Sequence, residues 1–274
     1  ITAAVCAGRK LGIPVIASTH NVPQEDFGDS LRWDLNPVYR ERARSAVQQA
    51  ASITILQDEF REWFPAAIQG RIHVLANPVQ RLSPRLLHAP PRDKLILDIG
   101  RLTDIKRFDL LIAAWGKIHT RFPDWRIEIY GEGPQQPALA TQISKLGLDQ
   151  SLQLCGVTDA LGPVYDRARL LCHPAVFEGF GLVVAESMAH GTPALAFSDC
   201  AGVNSLITHA VDGLLIAPQN DRVADLAIAL SQALEQPADL AKLGAAAQAI
   251  TTTYSAEKIA GQWDTLIRTT AAIS

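Results

Sequence analysis

The chain has 274 residues, 48% of them apolar and 19% charged, with a formal net charge of −3. That balance supplies core enough for two ordinary domains and argues against nucleic acid as a partner, because neutralising phosphates needs a basic surface. Four scattered cysteines (Cys6, Cys155, Cys172, Cys200) without a Cys-x-x-Cys argue against a disulfide framework or zinc site, and no apolar run approaches the ~20 residues needed to cross a bilayer.

In chain order, residues 1–12 carry an amphipathic helical pattern that Gly12-Ile13-Pro14 ends, and a strand is predicted at 13–18. Residue 1 is Ile rather than Met and the helix begins at once, so the chain is expected to open inside a domain, as a fragment. Further β-rich apolar runs predict strands at 52–56, 71–75, 94–99, 126–130, 151–155, 169–172, 193–197 and 213–216. Helical patterns separate most of them. One is Phe108, Leu111, Ile112 and Trp115, spaced as a single buried face. This alternation predicts parallel sheets covered by helices on both sides, with right-handed crossovers. The stretch from Asn77-Pro78 to Pro90-Pro91 holds four prolines and little periodicity, which reads as a linker. The expected organisation is therefore an incomplete α/β domain at 1–80, a linker at 81–93, a complete α/β domain at 94–252 and a closing helix at 253–274. That helix would bury Ile259, Trp263, Leu266 and Ile267.

In a doubly wound sheet, ligands bind beyond the carboxyl ends of the strands. Three strand-to-helix turns there carry suitable chemistry. In the first, Gly100-Arg101-Leu102-Thr103-Asp104-Ile105-Lys106, arginine offers a flat fork and lysine a mobile charge, a good pair for a diphosphate. Taken alone, the two also read as solvated surface cations. In the second, Gly131-Glu132-Gly133-Pro134, glycines would let a ligand approach the backbone. A plain tight turn explains them as well, and Gln136 stands where a dinucleotide fingerprint needs its third glycine. The third is His173-Pro174-Ala175-Val176-Phe177-Glu178-Gly179-Phe180-Gly181, followed by a helix that Gly191 would end. Glu178 and Glu186 lie eight positions apart around that helix start. Amides of Gly179, Phe180 and Gly181 and the helix dipole favour an anion. Carboxylates repel phosphate and accept paired hydroxyls. A diphosphate flanked by hydroxyl-bearing sugars, a nucleotide sugar, would satisfy every group. A glycosidase with two catalytic carboxylates is the competing reading, and it leaves the glycine amides and both cations idle.

From about Leu95 to Pro218 the sequence resembles the C-terminal, donor-binding domain of family 4 (group 1) retaining glycosyltransferases of the GT-B fold. The residues that carry the resemblance are Gly100-Arg101-Leu102 with Lys106, Gly131-Glu132-Gly133-Pro134, Tyr165, and Glu178-Gly-Phe-Gly-Leu with Glu186 and Gly191-Thr192-Pro193. Residues 13–80, with Thr19-His20-Asn21, resemble the end of that family's acceptor-binding domain. The resemblance implies two Rossmann-like α/β domains, the first incomplete. It implies that Arg101 and Lys106 hold the donor diphosphate, that Glu178 binds the transferred sugar and Glu186 the ribose, and that amides of Phe180, Gly181 and Leu182 contact sugar and phosphate. His20 would face the donor sugar. Gly100, Gly131, Gly133 and Gly179 complete the donor-binding set. Three positions depart from the family's pattern: Ala175 for a common serine, Arg107 for a common glycine, and Ser205 for a common acidic residue.

The activity implied is transfer of a sugar from a nucleotide diphosphate sugar to a saccharide or lipid-linked hydroxyl, in polysaccharide or glycolipid assembly. By family analogy alone it would run in the cytoplasm, at the inner membrane face through peripheral contact. No Asp-x-Asp clamp occurs, so no cofactor and no required metal are expected. The alternatives are a truncated, inactive remnant that still binds sugar nucleotide, or a sugar-nucleotide epimerase on the same fold.

Overall fold

The computed structural model describes residues 2–21, 23, 37–84, 91–219 and 221–272. They fall into two compact units. One holds residues 1–78, 178–180 and 254–274; the other holds 79–177 and 181–253.

In the first unit, three strands form a parallel sheet in chain order: β1 (Ile16–Ser18), β2 (Ser52–Ile55) and β3 (Ile72–Val74). Ile16 stands opposite Ser52, and Ile53 opposite Ile72. The strand predicted at 13–18 starts three residues late. Gly12 turns the chain with a φ of 69°, and Pro14 has no N–H for a ladder. Helix α1 (Thr2–Leu11) buries Val5, and helix α2 (Pro37–Gln48) buries Ala46 and Val47.

The second unit has six parallel strands: β4 (Leu95–Ile99), β5 (Arg126–Tyr130), β6 (Leu152–Gly156), β7 (Leu170–His173), β8 (Ala194–Phe197) and β9 (Leu214–Ile216), in the order β6-β5-β4-β7-β8-β9. This is a doubly wound sheet whose order reverses between β4 and β7. Helix α3 (Phe108–Ile118) buries the four residues its spacing picked out, Phe108, Leu111, Ile112 and Trp115. They pack with Ile96, Ile127, Ile129 and Phe197 of the sheet. Each such side chain contributes about 1.5–3 kcal/mol on burial. The Trp115 indole N–H donates to Ser151 Oγ at 3.0 Å. Four further helices complete the part of this unit that bears on the site: α4 (Gln136–Lys145), α5 (Leu161–Arg167), α6 (Leu182–Ala189) and α7 (Arg222–Glu235), the last packed on α3. Beyond them lie α8 (Pro237–Ala247) and α9 (Ile250–Thr253).

The chain end departs from expectation in two ways. Ser255 interrupts the helix and caps a new one, α10 (Ala256–Ala271), by accepting from the Lys258 amide. This helix groups with the first unit. It buries Ile259, Leu266 and Thr270, whereas Ile267 is 53% exposed. At roughly 100° per residue, position 267 lies about 80° off the line through 259, while 266 and 270 stay within about 20° of it.

The proline-rich stretch read as a linker lies partly outside the described residues, at 85–90. Its described ends group with the second unit and are clasped to it. The Leu82 amide donates to His190 Nε2 at 2.9 Å, and His190 Nδ1 stands 2.9 Å from Asp166 Oδ1. Since Nε2 accepts, the ring proton sits on Nδ1 and His190 is neutral. Arg81 and Ser83 also bind Asp166, and Arg92 donates to the carbonyls of Tyr165 and Ala168. Burial pushes the His190 pKa down, with Asp166 opposing. For Asp166, burial pushes upward and is outweighed by His190, Ser83 and Arg81, so its carboxyl lies below its ordinary value.

Both pKa values are depressed in the fold, so both groups contribute stability that is lost as pH falls. His190 acts first, because an unfolded histidine protonates near pH ~6.5. Thermal melts should show the melting temperature falling between about pH 7 and about pH 5. His190→Gln should flatten much of that fall. An equal fall in the variant would show that the acid sensitivity arises elsewhere.

Candidate functional site

Strand β4 ends in Asp98-Ile99 and gives way to Gly100-Arg101-Leu102. Leu102 is fully buried, and its backbone ties the turn to the loop after β5. Its N–H donates to the Glu132 carbonyl at 2.9 Å, and its carbonyl accepts from the Gln135 amide at 3.0 Å. Arg101 is left exposed at the strand's carboxyl end. A short 3₁₀ turn, Asp104–Lys106, brings Lys106 back over the same place. A Cβ built on Gly100 would lie 3.5 Å from Lys106 Cε, so the lysine stem crosses directly above that glycine. Gly100, Arg101 and Lys106 are thus brought together.

The residue after the lysine explains one departure from the family pattern. Arg107 adopts a left-handed conformation, φ 53° and ψ 37°, where glycine has no steric cost. Its guanidinium forks onto Asp109, with Nε and Nη2 donating at 2.9 and 3.0 Å, which offsets part of the strain.

Gly131 and Gly133 also have a packing task. Gly131 has a φ of 139°, and a Cβ there would sit 1.9 Å from the Gly100 carbonyl oxygen. A Cβ on Gly133 would meet the Leu102 carbonyl oxygen at 2.4 Å. The neighbouring backbone, not open space, fills the place of both side chains. Both glycines let one loop lie on the next, and so serve the site by holding the Arg101 turn in place.

On the other side of the sheet reversal, β7 ends at His173 and Pro174. The Val176 amide donates to the Ile105 carbonyl at 2.9 Å, joining this loop to the lysine turn. Ala175 is fully buried, so a serine there would have to bury its hydroxyl. Gly181, at φ 79°, turns the chain into α6. Among the described residues no side chain caps that helix, and Leu182 at its start is 44% exposed. The helix ends as expected, with Gly191 left-handed just past His190.

Glu186 lies one turn into α6 and is half-buried. The buried Tyr165 hydroxyl donates to its Oε2 at 2.9 Å. Burial pushes the Glu186 pKa up and the Tyr165 bond pulls it back; burial and the Glu186 charge push the Tyr165 pKa up strongly. Beneath these groups lies Asp98, fully buried, whose charge is felt by Tyr165 on one side and Lys106 on the other. Sequence reasoning assigned Asp98 no role. The available signal was a carboxylate inside the apolar run Leu95-Ile96-Leu97-Asp98-Ile99.

Glu178, Gly179, Phe180 and His20 all belong to the first unit. A Cβ on Gly179 would lie 2.3 Å from the His20 carbonyl oxygen, so these two segments touch. The exposed His20 ring contacts Ser18 Oγ through Nε2 at 3.0 Å. Phe180 is buried edge-on against Tyr254, ring centres 5.3 Å apart. Among the described residues, no group of three or more His, Cys, Asp or Glu could hold a metal ion, and no helix is long and apolar enough to cross a membrane.

Comparison with known proteins gives three findings. The family model described as "Glycosyl transferases group 1" matches residues 93–236. An uncharacterized glycosyltransferase of Haemophilus influenzae is 28% identical over 211 residues, covering 77% of this chain and 59% of that protein. Among solved structures, a TarM mutant of S. aureus in complex with fondaparinux, alpha-GlcNAc-glycerol and UDP superposes with a TM-score of 0.79 at 23% identity, over 93% of this chain and 50% of that one. The sucrose-phosphate synthase of Thermosynechococcus elongatus gives 0.81 at 21%, over 100% and 73%. At such identities the structural likeness speaks for the fold. The chain spans under two thirds of the length of the H. influenzae relative and half that of TarM.

The backbone contacts yield a paired prediction. Gly131→Ala should destabilise by on the order of 3 kcal/mol, combining overpacking with an unfavourable φ. Arg107→Gly should change stability by less than about 1 kcal/mol, because relief of left-handed strain and loss of an exposed ion pair nearly cancel. Urea denaturation of both variants checks the contrast.

Proposed function

This chain belongs to the group 1 glycosyltransferases, and from that premise we propose that it moves a sugar, with retention of anomeric configuration, from a nucleoside diphosphate sugar to an acceptor hydroxyl. Its fold is α/β of the GT-B type. One observation carries the reading. At the single reversal of the second unit's sheet, two cations and an uncapped helix start lie near a half-buried carboxylate held by a tyrosine.

The chemistry follows from charge. As the sugar leaves, negative charge builds on the diphosphate. Arg101, Lys106 and the amides of Leu182 and Val183 are pre-arranged donors for it, and such stabilisation acts where charge develops. Glu186, its orientation fixed by Tyr165, accepts from the ribose hydroxyls. The family resemblance supports contact of Glu178 and His20 with the transferred sugar. TarM is complexed with UDP, which makes UDP the first nucleotide to test here. A saccharide or lipid-linked acceptor, and a place in polysaccharide or glycolipid assembly at the inner membrane face, complete the proposal.

Calorimetry separates these roles. Arg101→Ala and Lys106→Ala should each weaken UDP roughly ten- to a hundredfold, the worth of hydrogen bonds to charged groups, and leave uridine nearly unaffected. Glu186→Gln should weaken both ligands alike. Equal losses of UDP and uridine in the two cation variants would make those residues structural.

The two cations and the helix start already meet the diphosphate charge, so transfer should proceed without a divalent ion. Activity of the protein in excess EDTA should match activity with added magnesium. Loss on chelation, restored by the metal, would refute this part of the proposal.

A further inference from the structure

The donor reading uses Arg101, Lys106 and Glu186 and leaves a buried polar couple beneath them without a task. Asp98 lies near the end of β4 and His173 at the end of β7, the two strands that meet at the sheet reversal. Their side chains are 0% and 1% exposed, and His173 Nδ1 stands 3.0 Å from Asp98 Oδ1. The same oxygen accepts from the Ile99 amide at 2.8 Å. Asp98 Oδ2 is buried and has no hydrogen-bond partner among the described residues. Four groups from three neighbouring elements face this carboxylate: Lys106 from the 3₁₀ turn, Tyr165 from α5, and Cys172 and His173 from β7. The Tyr165 hydroxyl is engaged by Glu186, and the Cys172 thiol is pushed well up by burial, so neither supplies positive charge.

A buried carboxylate with one oxygen unsatisfied is poorly stabilised when ionised. Burial pushes the Asp98 pKa up, and His173, the Ile99 amide and the Lys106 charge pull against it. A diphosphate above this point changes the balance twice. It draws the Lys106 ammonium to itself, and it brings further negative charge over the couple.

Resting on the donor reading, we infer that Asp98 and His173 form a positioning couple that takes up one proton from solvent when a nucleoside diphosphate sugar binds. With Asp98 ionised, the His173 Nδ1–H already donates to Asp98 Oδ1, so the proton taken up goes to His173 Nε2. Carboxylate and neutral imidazole become carboxylate and imidazolium, the couple loses its net negative charge, and Lys106 is released to the phosphates.

The test is calorimetric titration of the full chain with UDP-glucose in buffers of different ionisation enthalpy. The diphosphate of this ligand is a diester with no group that titrates near neutral pH, so any proton taken up goes to the protein. Uptake of a large fraction of one proton is expected. The couple's pKa is then higher in the bound state, so affinity weakens as pH rises, by up to about tenfold per pH unit across its titration range. Asp98→Asn should bind UDP-glucose with no uptake and little pH dependence, whereas a merely structural role would alter stability and leave the proton count unchanged. Should that variant fail to fold, ¹⁵N resonances of the wild-type His173 ring must move to the imidazolium position on adding UDP-glucose. Binding without uptake, unchanged uptake in Asp98→Asn, or a ring that stays neutral overturns the inference alone. Absence of binding by UDP-glucose and by other sugar nucleotides overturns the donor reading and this inference with it.

Discussion

The pairing of β4 with β7 positions the candidate site of the second unit. Ile96 lies opposite Leu170 and Leu97 opposite Leu171, which sets two strands side by side whose onward connections run in opposite directions. From β4 the chain leaves through α3 toward β5, and from β7 through α6 toward β8. Turns that diverge from one seam leave a crevice between them. Arg101 and Lys106 hang from one lip, and the start of α6 with Glu186 from the other.

Charge is distributed across that seam by burial as much as by residue type. Arg101 sits toward water, and Lys106 is half-buried over Gly100. The carboxylates sit deeper, each with a neutral or ionisable partner: Tyr165 for Glu186, His173 for Asp98. Low local dielectric makes each such contact stronger and each missing one more costly. The same logic operates away from the site, where Asp166 gathers His190, Arg81 and Ser83 and so fixes the described start of the proline-rich stretch.

Much of the architecture was legible because periodicity is a direct print of burial. All nine strands occur, and the Phe108–Trp115 face packs as its spacing requires. Errors arose where a local rule competed with another. Pro14 removes a ladder donor from an otherwise strand-like run, and Ile267 is apolar yet turned off the buried line of α10. At the site, the motif residues could be named in advance, but their tasks were only partly readable. Gly131 and Gly133 look like openings for a ligand, and the contact of their Cβ positions with the backbone of the preceding turn could not be read from the sequence. Asp98 is conspicuous in its strand, whereas its partner lies 75 residues further on and nothing local to His173 announces the pairing. Arg107 stands at a position that only a dihedral angle reveals as one suited to glycine.

The interlock of two loops also bears on how such proteins can be recombined. The turn after β4 and the loop after β5 share two backbone hydrogen bonds through Leu102, and they touch where Gly131 meets Gly100 without room for a methyl group. Neither loop therefore has a shape of its own. A chimera that imports residues 100–106 from a relative while keeping its own 130–135 would join two surfaces shaped for other partners. The two segments behave as one structural module, so an exchange between relatives should carry both halves together.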